Sequence, residues 1–575
     1  MSEKMILLGN EAVAHGAKDA GVRVVSSYPG TPSTEITETI AALGGLYAEW
    51  AANEKVAVEV ALGASLSGVR SLCCMKHVGL NVASDTVYTA AYSGVNAGLV
   101  LIVADDPGMH SSQNEQDTRF VAMSAHVPVL EPSDSQEVYD FVRLAFEMSE
   151  ACDLPVIVRM TTRISHTRGM VQARPAVSPE RRPYEKHPEK YVMMPGYARG
   201  RKHKLMENLT KAVAFAKQHS LNRIENAGSQ VGVYCAGGAV PCVQEALPEA
   251  AICRIGMPYP LEEDLVKSFA EAHETLYVVE ELEPVLELQL NALHIFPKGK
   301  ELFTKYGEYT PALVKAAVDG VPAPAGTPEG LPTRPPALCP GCPHRAAYTV
   351  LKKMKLTAFG DIGCYTLGAN PPLSALDSTI CMGASIGMAQ GAARADEEMA
   401  RHSVAVIGDS TFFHGGLASL ASAIYNQADV TVLVLDNGTT GMTGHQDNPA
   451  TGLTLQKQPV QPIAIENVAL AMGAKSAVVV DPFDLDGLKK ALQDALASHG
   501  VNVVVARCDC VMITDKKAPL AVDPKKCISC GACLKTGCPA LHKGPAAVSI
   551  ETTLCTGCGL CATVCPVNAI GGKEA

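Results

Sequence analysis

The sequence predicts an α/β protein of several doubly wound domains, followed by a small cysteine-rich α+β domain. Two observations carry this. Through most of the chain, aliphatic runs such as AGLVLIVADDPG and ADVTVLVLDNGTTG alternate with Gly- and Ala-rich helical stretches; strands without polar alternation are buried on both faces by helices, as in parallel sheets. Towards the C-terminus the pattern gives way to two cysteine runs, CISCGACLKTGCP and CTGCGLCATVCP. At 575 residues the chain exceeds what one hydrophobic core organises, so about three or four domains are expected.

Taken in order, residues 1–180, with GVRVVSSYPG and LPVIVRMTTR as further strands, form the first α/β domain. Residues 181–228 are polar and basic, with Pro183 and Pro188, and read as a linker plus a helix. A second α/β domain opens at SQVGVYCAGGAV and occupies 229–320. The Pro-rich joint GVPAPAGTPEGLPTRPPALCP leads to a third, 335–515, with HSVAVIGDSTFFHGG and VNVVVARCDCVMI as strands; the cysteine-rich domain is 520–575.

Composition excludes several classes. A net charge of -11 leaves no basic footprint for nucleic acid and no polybasic membrane patch. No apolar run is long enough for a bilayer span, and MSEKMILLGNEAVAHGA lacks a signal-peptide pattern, so a cytoplasmic protein is expected. Of the 20 cysteines, those outside the two runs sit largely in apolar segments such as VGVYCAGGAV, the pattern of reduced thiols.

The runs have iron-sulfur spacing. A thiolate every third residue lets one loop offer three sulfurs to a cubane, and in bacterial ferredoxins the fourth cysteine of each run crosses to the other cluster. Cys527, Cys530, Cys533 and Cys565 are therefore assigned to one 4Fe-4S cluster, and Cys538, Cys555, Cys558 and Cys561 to a second. Zinc is the alternative occupant of paired C-x-x-C elements. The first run departs from the usual pattern, with four residues rather than three between Cys533 and Cys538.

IGDSTF at 407–412 is followed, 25 residues after Ser410, by LDNGTTGMTGHQ. A Gly-Asp ending one buried strand and an Asn ending the next set hard oxygen ligands side by side at the C-terminal edge of a parallel sheet, where such sheets bind ligands. Asp409, the Asn437 side-chain oxygen and a carbonyl at Thr439 are the expected Mg²⁺ ligands, with diphosphate oxygens completing an octahedron. This is a thiamine diphosphate signature, and Gly408, Ser410, Gly441 and Thr443 complete the expected cofactor-binding set. That cofactor also needs a carboxyl group at its aminopyrimidine ring. EWAANEKVAVEVALGASLSG offers Glu49, Glu54 and Glu59.

YPGTPSTE, NEKVAVEVALGAS, MKHVGLN, the GDS and DNGTTGMTGHQ pair and the terminal cysteine runs together resemble the 2-oxoacid:ferredoxin oxidoreductases, most of all the α subunits of the indolepyruvate type, over nearly the whole chain. The resemblance implies that 1–180 is the pyrimidine-binding thiamine domain, 229–320 a transketolase C-terminal-like domain, 335–515 the diphosphate-binding domain and 520–575 a bacterial ferredoxin-like domain. It implies that Glu54 is the activating acid, that Thr31 contacts substrate and that Arg119 pairs with the substrate carboxylate. It also implies a third cluster at Cys339, Cys342, Cys364 and Cys510, with Cys508 as the alternative fourth ligand. The expected reaction is oxidative decarboxylation of aryl 2-oxoacids with CoA, reducing ferredoxin, by an α₂β₂ assembly with a separate β subunit. Pyruvate or phenylglyoxylate are the alternative substrates, and electron transfer without catalysis the alternative role. His445, in the MTGHQ turn, is the histidine expected nearest substrate; Arg163 and His166 match the family without an assigned role.

Overall fold

The strand Ser71–Lys76 is buried at every position, as are Leu99–Asp105 and Val156–Thr161, which is what their unbroken apolar sequences require. They form the middle of a six-stranded parallel sheet with the order Tyr47–Trp50, Val24–Ser27, Ser71–Lys76, Leu99–Asp105, Val156–Thr161, Val129–Leu130. The computed structural model describes residues 4–323, 330–332 and 335–572, and it divides into two compact units, Met1–Gly330 and Leu331–Ala575. Parts of the Pro-rich joint, 324–329 and 333–334, lie outside the described residues.

The first unit holds a second sheet, ordered Thr275–Val279, Val231–Cys235, Ala251–Arg254, Arg223–Glu225. Its last strand is antiparallel and comes from the stretch read as linker, which also contains the 24-residue helix Pro195–Gln218. The two sheets of this unit are joined by hydrogen bonds such as Val129 N to Tyr259 O and by buried charge.

In the second unit six parallel strands run in the order Ser378–Thr379, Thr357–Gly360, Ser403–Gly408, Val430–Asp436, Val501–Arg507, Ser476–Val480. The cysteine-rich segment adds two antiparallel pairs, Leu520–Val522 with Ile570–Gly572 and Leu541–Lys543 with Val548–Ile550. It is not a separate bead: buried Leu560 belongs to the same apolar core as Leu351, Leu376 and Leu433, with Cys558 and Val564 packed against it. Among the described residues no helix is long and apolar enough to cross a membrane.

Candidate functional site

The helix Glu54–Leu66 starts just past the C-terminal end of the strand Tyr47–Trp50, capped by Asn53, whose side chain accepts from Val56 N at 2.9 Å. Glu54, its first residue, is buried, and its carboxylate lies against the first turn of the helix His77–Ser93. The fit is tight. A Cβ on Gly79 would stand 2.6 Å from Glu54 Oε1, so this close approach needs glycine. The two competing carboxylates are engaged elsewhere: Glu49 accepts from Ser26 Oγ at 2.9 Å and Tyr47 Oη at 2.7 Å, and Glu59 is an exposed partner of Lys55. Glu54 is thus the buried carboxylate of the three at this sheet edge.

Thr31 lies in the turn after Val24–Ser27 at the same edge, where its carbonyl accepts from Ser111 Oγ at 3.5 Å. Arg119 does not face this edge as a free cation. It is fully buried; its Nε and Nη2 donate to Asp117 at 2.9 and 2.6 Å, Nη1 to Glu280 at 2.8 Å, and Nη2 also to the carbonyls of Glu281 and Glu283. Beside it Arg159 binds Asp105 at 2.6 Å and Glu131. This network ties the two sheets of the unit together and corrects the expectation that Arg119 meets a substrate carboxylate, because its guanidinium is already spent on carboxylates and carbonyls.

A different cation occupies the edge. Lys76 ends the strand Ser71–Lys76 with its Cβ 3.2 Å from where a Cβ on Gly30 of the YPGTP turn would lie, and its Nζ donates to the Ser111 carbonyl at 2.5 Å. It is buried, and no carboxylate among the described residues comes within ion-pair distance of it. Burial pulls its amine down to about 8, with Asp106 acting the other way. Sequence reasoning passed over Lys76, although MKHVGLN contains it, since a lysine at a strand end is ordinarily a solvated one.

In the second unit the strand Ser403–Gly408 delivers Asp409, and its neighbour Val430–Asp436 delivers Asn437. The Asn437 amide oxygen stands 2.9 Å from the Thr439 carbonyl oxygen and 3.3 Å from Asp409 Oδ1 as oriented, three acceptors with no hydrogen among them. Turning the amide over would make two hydrogen bonds. Left as it is, the trio suits a cation, because neighbouring oxygens of an octahedral Mg²⁺ at about 2.0–2.1 Å stand about 2.9 Å apart. Burial and then neighbouring Asp436 push the Asp409 carboxyl up to about 7; a bound divalent ion reverses that and keeps it ionised. Around the trio, Gly408 can be only glycine, since a Cβ would stand 2.5 Å from the Tyr365 ring. Ser410 is buried, and Thr443 Oγ1 donates to Gln446 Oε1 at 2.5 Å. A Cβ on Gly441 would lie 3.4 Å from Cys364 Sγ and 3.9 Å from the His445 ring. The loop that carries Asn437 and Thr439 therefore abuts a cysteine.

The thiols sort into three groups. Cys527, Cys530, Cys533 and Cys565 line one void, and Cys538, Cys555, Cys558 and Cys561 line another. The crossing of Cys538 and Cys565 is thus present in the fold. Among the described residues no three His, Cys, Asp or Glu side chains converge as one metal ion would need. Thiols around a void suit a multi-iron cluster, whereas zinc needs four ligands at one point. In the third group, Cys342 and Cys364 are raised by burial to about 12 and about 11; Cys339 adds to both shifts, Cys364 to that of Cys342, and Cys510 to that of Cys364. Cys510, raised by burial, also feels Cys339. Cys508 instead feels Asp481, Asp509, Lys517 and Cys558. Cys339, Cys342, Cys364 and Cys510 thus influence one another, whereas Cys508 answers to a different set of neighbours. Arg163 and His166 are placed elsewhere: Arg163 donates to the Tyr309 carbonyl and His166 faces Glu35 at 3.8 Å.

Comparison with known proteins agrees with this geometry. The family model "Pyruvate flavodoxin/ferredoxin oxidoreductase, thiamine diP-bdg" matches residues 15–227, "Thiamine pyrophosphate enzyme, C-terminal TPP binding domain" matches 361–506, and "4Fe-4S binding domain" matches 548–571. Thiamine diphosphate and iron-sulfur clusters are therefore the cofactors of this chain, on the predicted α/β fold with its cysteine-rich terminal domain. Curated proteins named indolepyruvate oxidoreductase subunit IorA match along almost the full length. That of Archaeoglobus fulgidus is 39% identical, covering 99% of this chain and 97% of its own. Those of Pyrococcus abyssi and Methanothermobacter thermautotrophicus are 41% and 40% identical, each covering 99% of this chain and, respectively, 96% and 97% of their own. With thiamine- and cluster-binding domains in one chain and that coverage, the protein belongs to the IorA family of the 2-oxoacid:ferredoxin oxidoreductases.

Proposed function

We propose that this chain is the catalytic α subunit that oxidatively decarboxylates aryl 2-oxoacids, indolepyruvate foremost, with CoA, giving the aryl-acetyl-CoA and CO₂ and passing two electrons to ferredoxin. The observation that carries this reading is the run of thiols beginning beside the metal loop. Cys364 adjoins Gly441, Cys342 lines the void of Cys538, Cys555, Cys558 and Cys561, and the Cys527, Cys530, Cys533 and Cys565 set lies in the same segment. A simple decarboxylase has no use for such a path, whereas oxidation to a thioester must remove two electrons.

Thiamine diphosphate, when bound, stabilises the negative charge left at the former carbonyl carbon as CO₂ leaves. Asp409, Asn437 and the Thr439 carbonyl hold its diphosphate through Mg²⁺. Glu54 holds a proton at the aminopyrimidine, its burial and the close packing on Gly79 keeping it aimed. Lys76, close to Thr31, is proposed to receive the substrate carboxylate in place of Arg119. Cys339, Cys342, Cys364 and Cys510 are proposed to hold a third 4Fe-4S cluster.

The aryl preference and a separate partner subunit are supported by the names of the relatives, which are subunits of indolepyruvate oxidoreductases; the α₂β₂ stoichiometry is proposed from the family resemblance. The test is initial rates of an anaerobically purified complex against indolepyruvate, phenylpyruvate, pyruvate, phenylglyoxylate and 2-oxoglutarate, with and without CoA and ferredoxin. The aryl pyruvates should give the highest kcat/KM, dependent on both. Turnover of indolepyruvate without CoA or any reduced acceptor would reject the reading, and a preference for pyruvate would reject its aryl part.

A further inference from the structure

Five arginines are buried among the described residues: Arg70, Arg119, Arg159, Arg254 and Arg345. Four have carboxylate partners: Arg70 with Glu150 at 2.9 Å, Arg119 with Asp117 at 2.6 Å, Arg159 with Asp105 at 2.6 Å, and Arg254 with Glu137 at 2.6 Å. Arg345 has none. The second residue of the helix His344–Met354, it donates from Nε to the Cys339 carbonyl at 2.9 Å, from Nη1 to the Thr536 carbonyl at 3.2 Å and from Nη2 to the Leu338 carbonyl. Neutral carbonyls satisfy its hydrogen bonds and leave its charge uncompensated, a costly state for a buried cation. The ionisable groups that act on it are thiols: Cys538, Cys342, Cys339 and Cys558. It also lines the void shared by Cys538, Cys555, Cys558 and Cys561.

The missing anion has a natural identity. A 4Fe-4S centre with four thiolate ligands is net negative and gains one further charge on reduction, and local charge and hydrogen bonding set its potential. We propose that Arg345 is the buried counter-cation of the cluster held by Cys538, Cys555, Cys558 and Cys561, and that it raises that cluster's reduction potential by stabilising the reduced form. The three carbonyl bonds fix the guanidinium there and join the C-P-G-C loop to the loop before Cys538, so one side chain supports the segment that electrons must cross. Arg345 is a positioning and tuning residue, not a catalytic one.

This inference rests on the iron-sulfur reading above, and the experiment separates the two. The full chain, with its partner subunit, is purified anaerobically as wild type, Arg345→Gln and Arg345→Lys. Iron and sulfide are counted, and each cluster is titrated by electron paramagnetic resonance against potential. Wild-type protein lacking a cluster bound by Cys538, Cys555, Cys558 and Cys561 would reject the underlying reading. With that cluster present, Arg345→Gln should make it at least about tenfold harder to reduce, a fall of about 59 mV for one electron, while Arg345→Lys keeps most of the native potential. The cluster of Cys527, Cys530, Cys533 and Cys565, whose void Arg345 does not line, should not move. Unchanged potentials in Arg345→Gln would overturn the proposal, as would equal shifts in both clusters. Should Arg345→Gln fail to assemble, Arg345→Lys decides: native iron and potential support the charge role, and loss of the cluster there too assigns Arg345 to backbone anchoring alone.

Discussion

Two buried cations of the first unit, Arg119 and Lys76, show how residue type alone misleads and environment decides. Arg119 is matched by carboxylates, so its loss leaves Asp117 and Glu280 buried without their partner; Lys76 is matched by carbonyl oxygen and stays available to an anion. Arg119→Met should therefore destabilise the protein by about 3–5 kcal/mol in chemical denaturation while leaving KM for the 2-oxoacid near native. Lys76→Met should do the opposite, raising KM severalfold with little effect on stability. The pH profile provides a second check on Lys76. Its folded-state amine lies near 8, below the ordinary lysine value, so it is charged below that pH and neutral above it. A cation that binds the substrate carboxylate is lost as pH rises, and kcat/KM should fall through about pH 8; Lys76→Met should flatten that limb. For Glu54, replacement by Gln keeps the shape and removes the proton, so turnover should drop by about 10²–10⁴-fold with iron content and circular dichroism unchanged. Gly79→Ala should reproduce much of that loss without touching a titratable group, since its Cβ would stand 2.6 Å from Glu54 Oε1.

At the scale of elements, the cysteine-rich segment, read in sequence as the domain 520–575, shares a core with the rest of the second unit. Its helix Leu560–Thr563 places Leu560 in the core built by the helices His344–Met354 and Leu485–Ala497 and the central strands of the second sheet. A Cβ on Gly341 would meet Thr556 Oγ1 at 2.0 Å, so the C-P-G-C loop lies directly against the second cysteine run. Electron transfer gains from such contact because thiols from two segments share one region. Leu560→Ala should cost about 2–5 kcal/mol, read by thermal melting of the cluster-loaded protein. A chain ended before residue 520 should lose ferredoxin reduction and also melt earlier than the full chain, rather than leaving the remaining domains at native stability.

For the molecule as a whole, the count of clusters and the partner are the quantities to measure. Three 4Fe-4S centres correspond to about twelve iron atoms per chain and two to about eight; anaerobic iron analysis should give the higher figure, and Cys364→Ser should lower it by about four while Cys508→Ser leaves it unchanged. Co-purification at native expression should yield a second polypeptide of one or two domains, and a chain fully active alone would contradict the α₂β₂ assembly.

What the sequence determined by itself was chemistry written in short motifs and in the strands that carry them. The C-x-x-C-x-x-C runs have their ligands a few residues apart, and the Gly-Asp-Ser and Asn motifs end two neighbouring strands whose course their own apolar sequences dictate, so spacing and strand pattern together implied iron-sulfur clusters, a metal and thiamine diphosphate. The alternation of buried strands with helices likewise implied parallel sheets and the edge at which the site would lie. Only the tertiary structure decided between side chains of one type. Glu54 separates from Glu49 and Glu59 because the helix beginning His77 brings Gly79 against it, Cys510 from Cys508 because of what each thiol faces, and Arg119 from Lys76 because adjacent Asp117 together with Glu280, far away in sequence, neutralises the first. Arg345 left no trace in any motif: its meaning lies in the absence of a carboxylate partner and in a void lined by cysteines from another part of the chain. Burial and counter-charge come from residues distant in sequence, and local spacing cannot encode them.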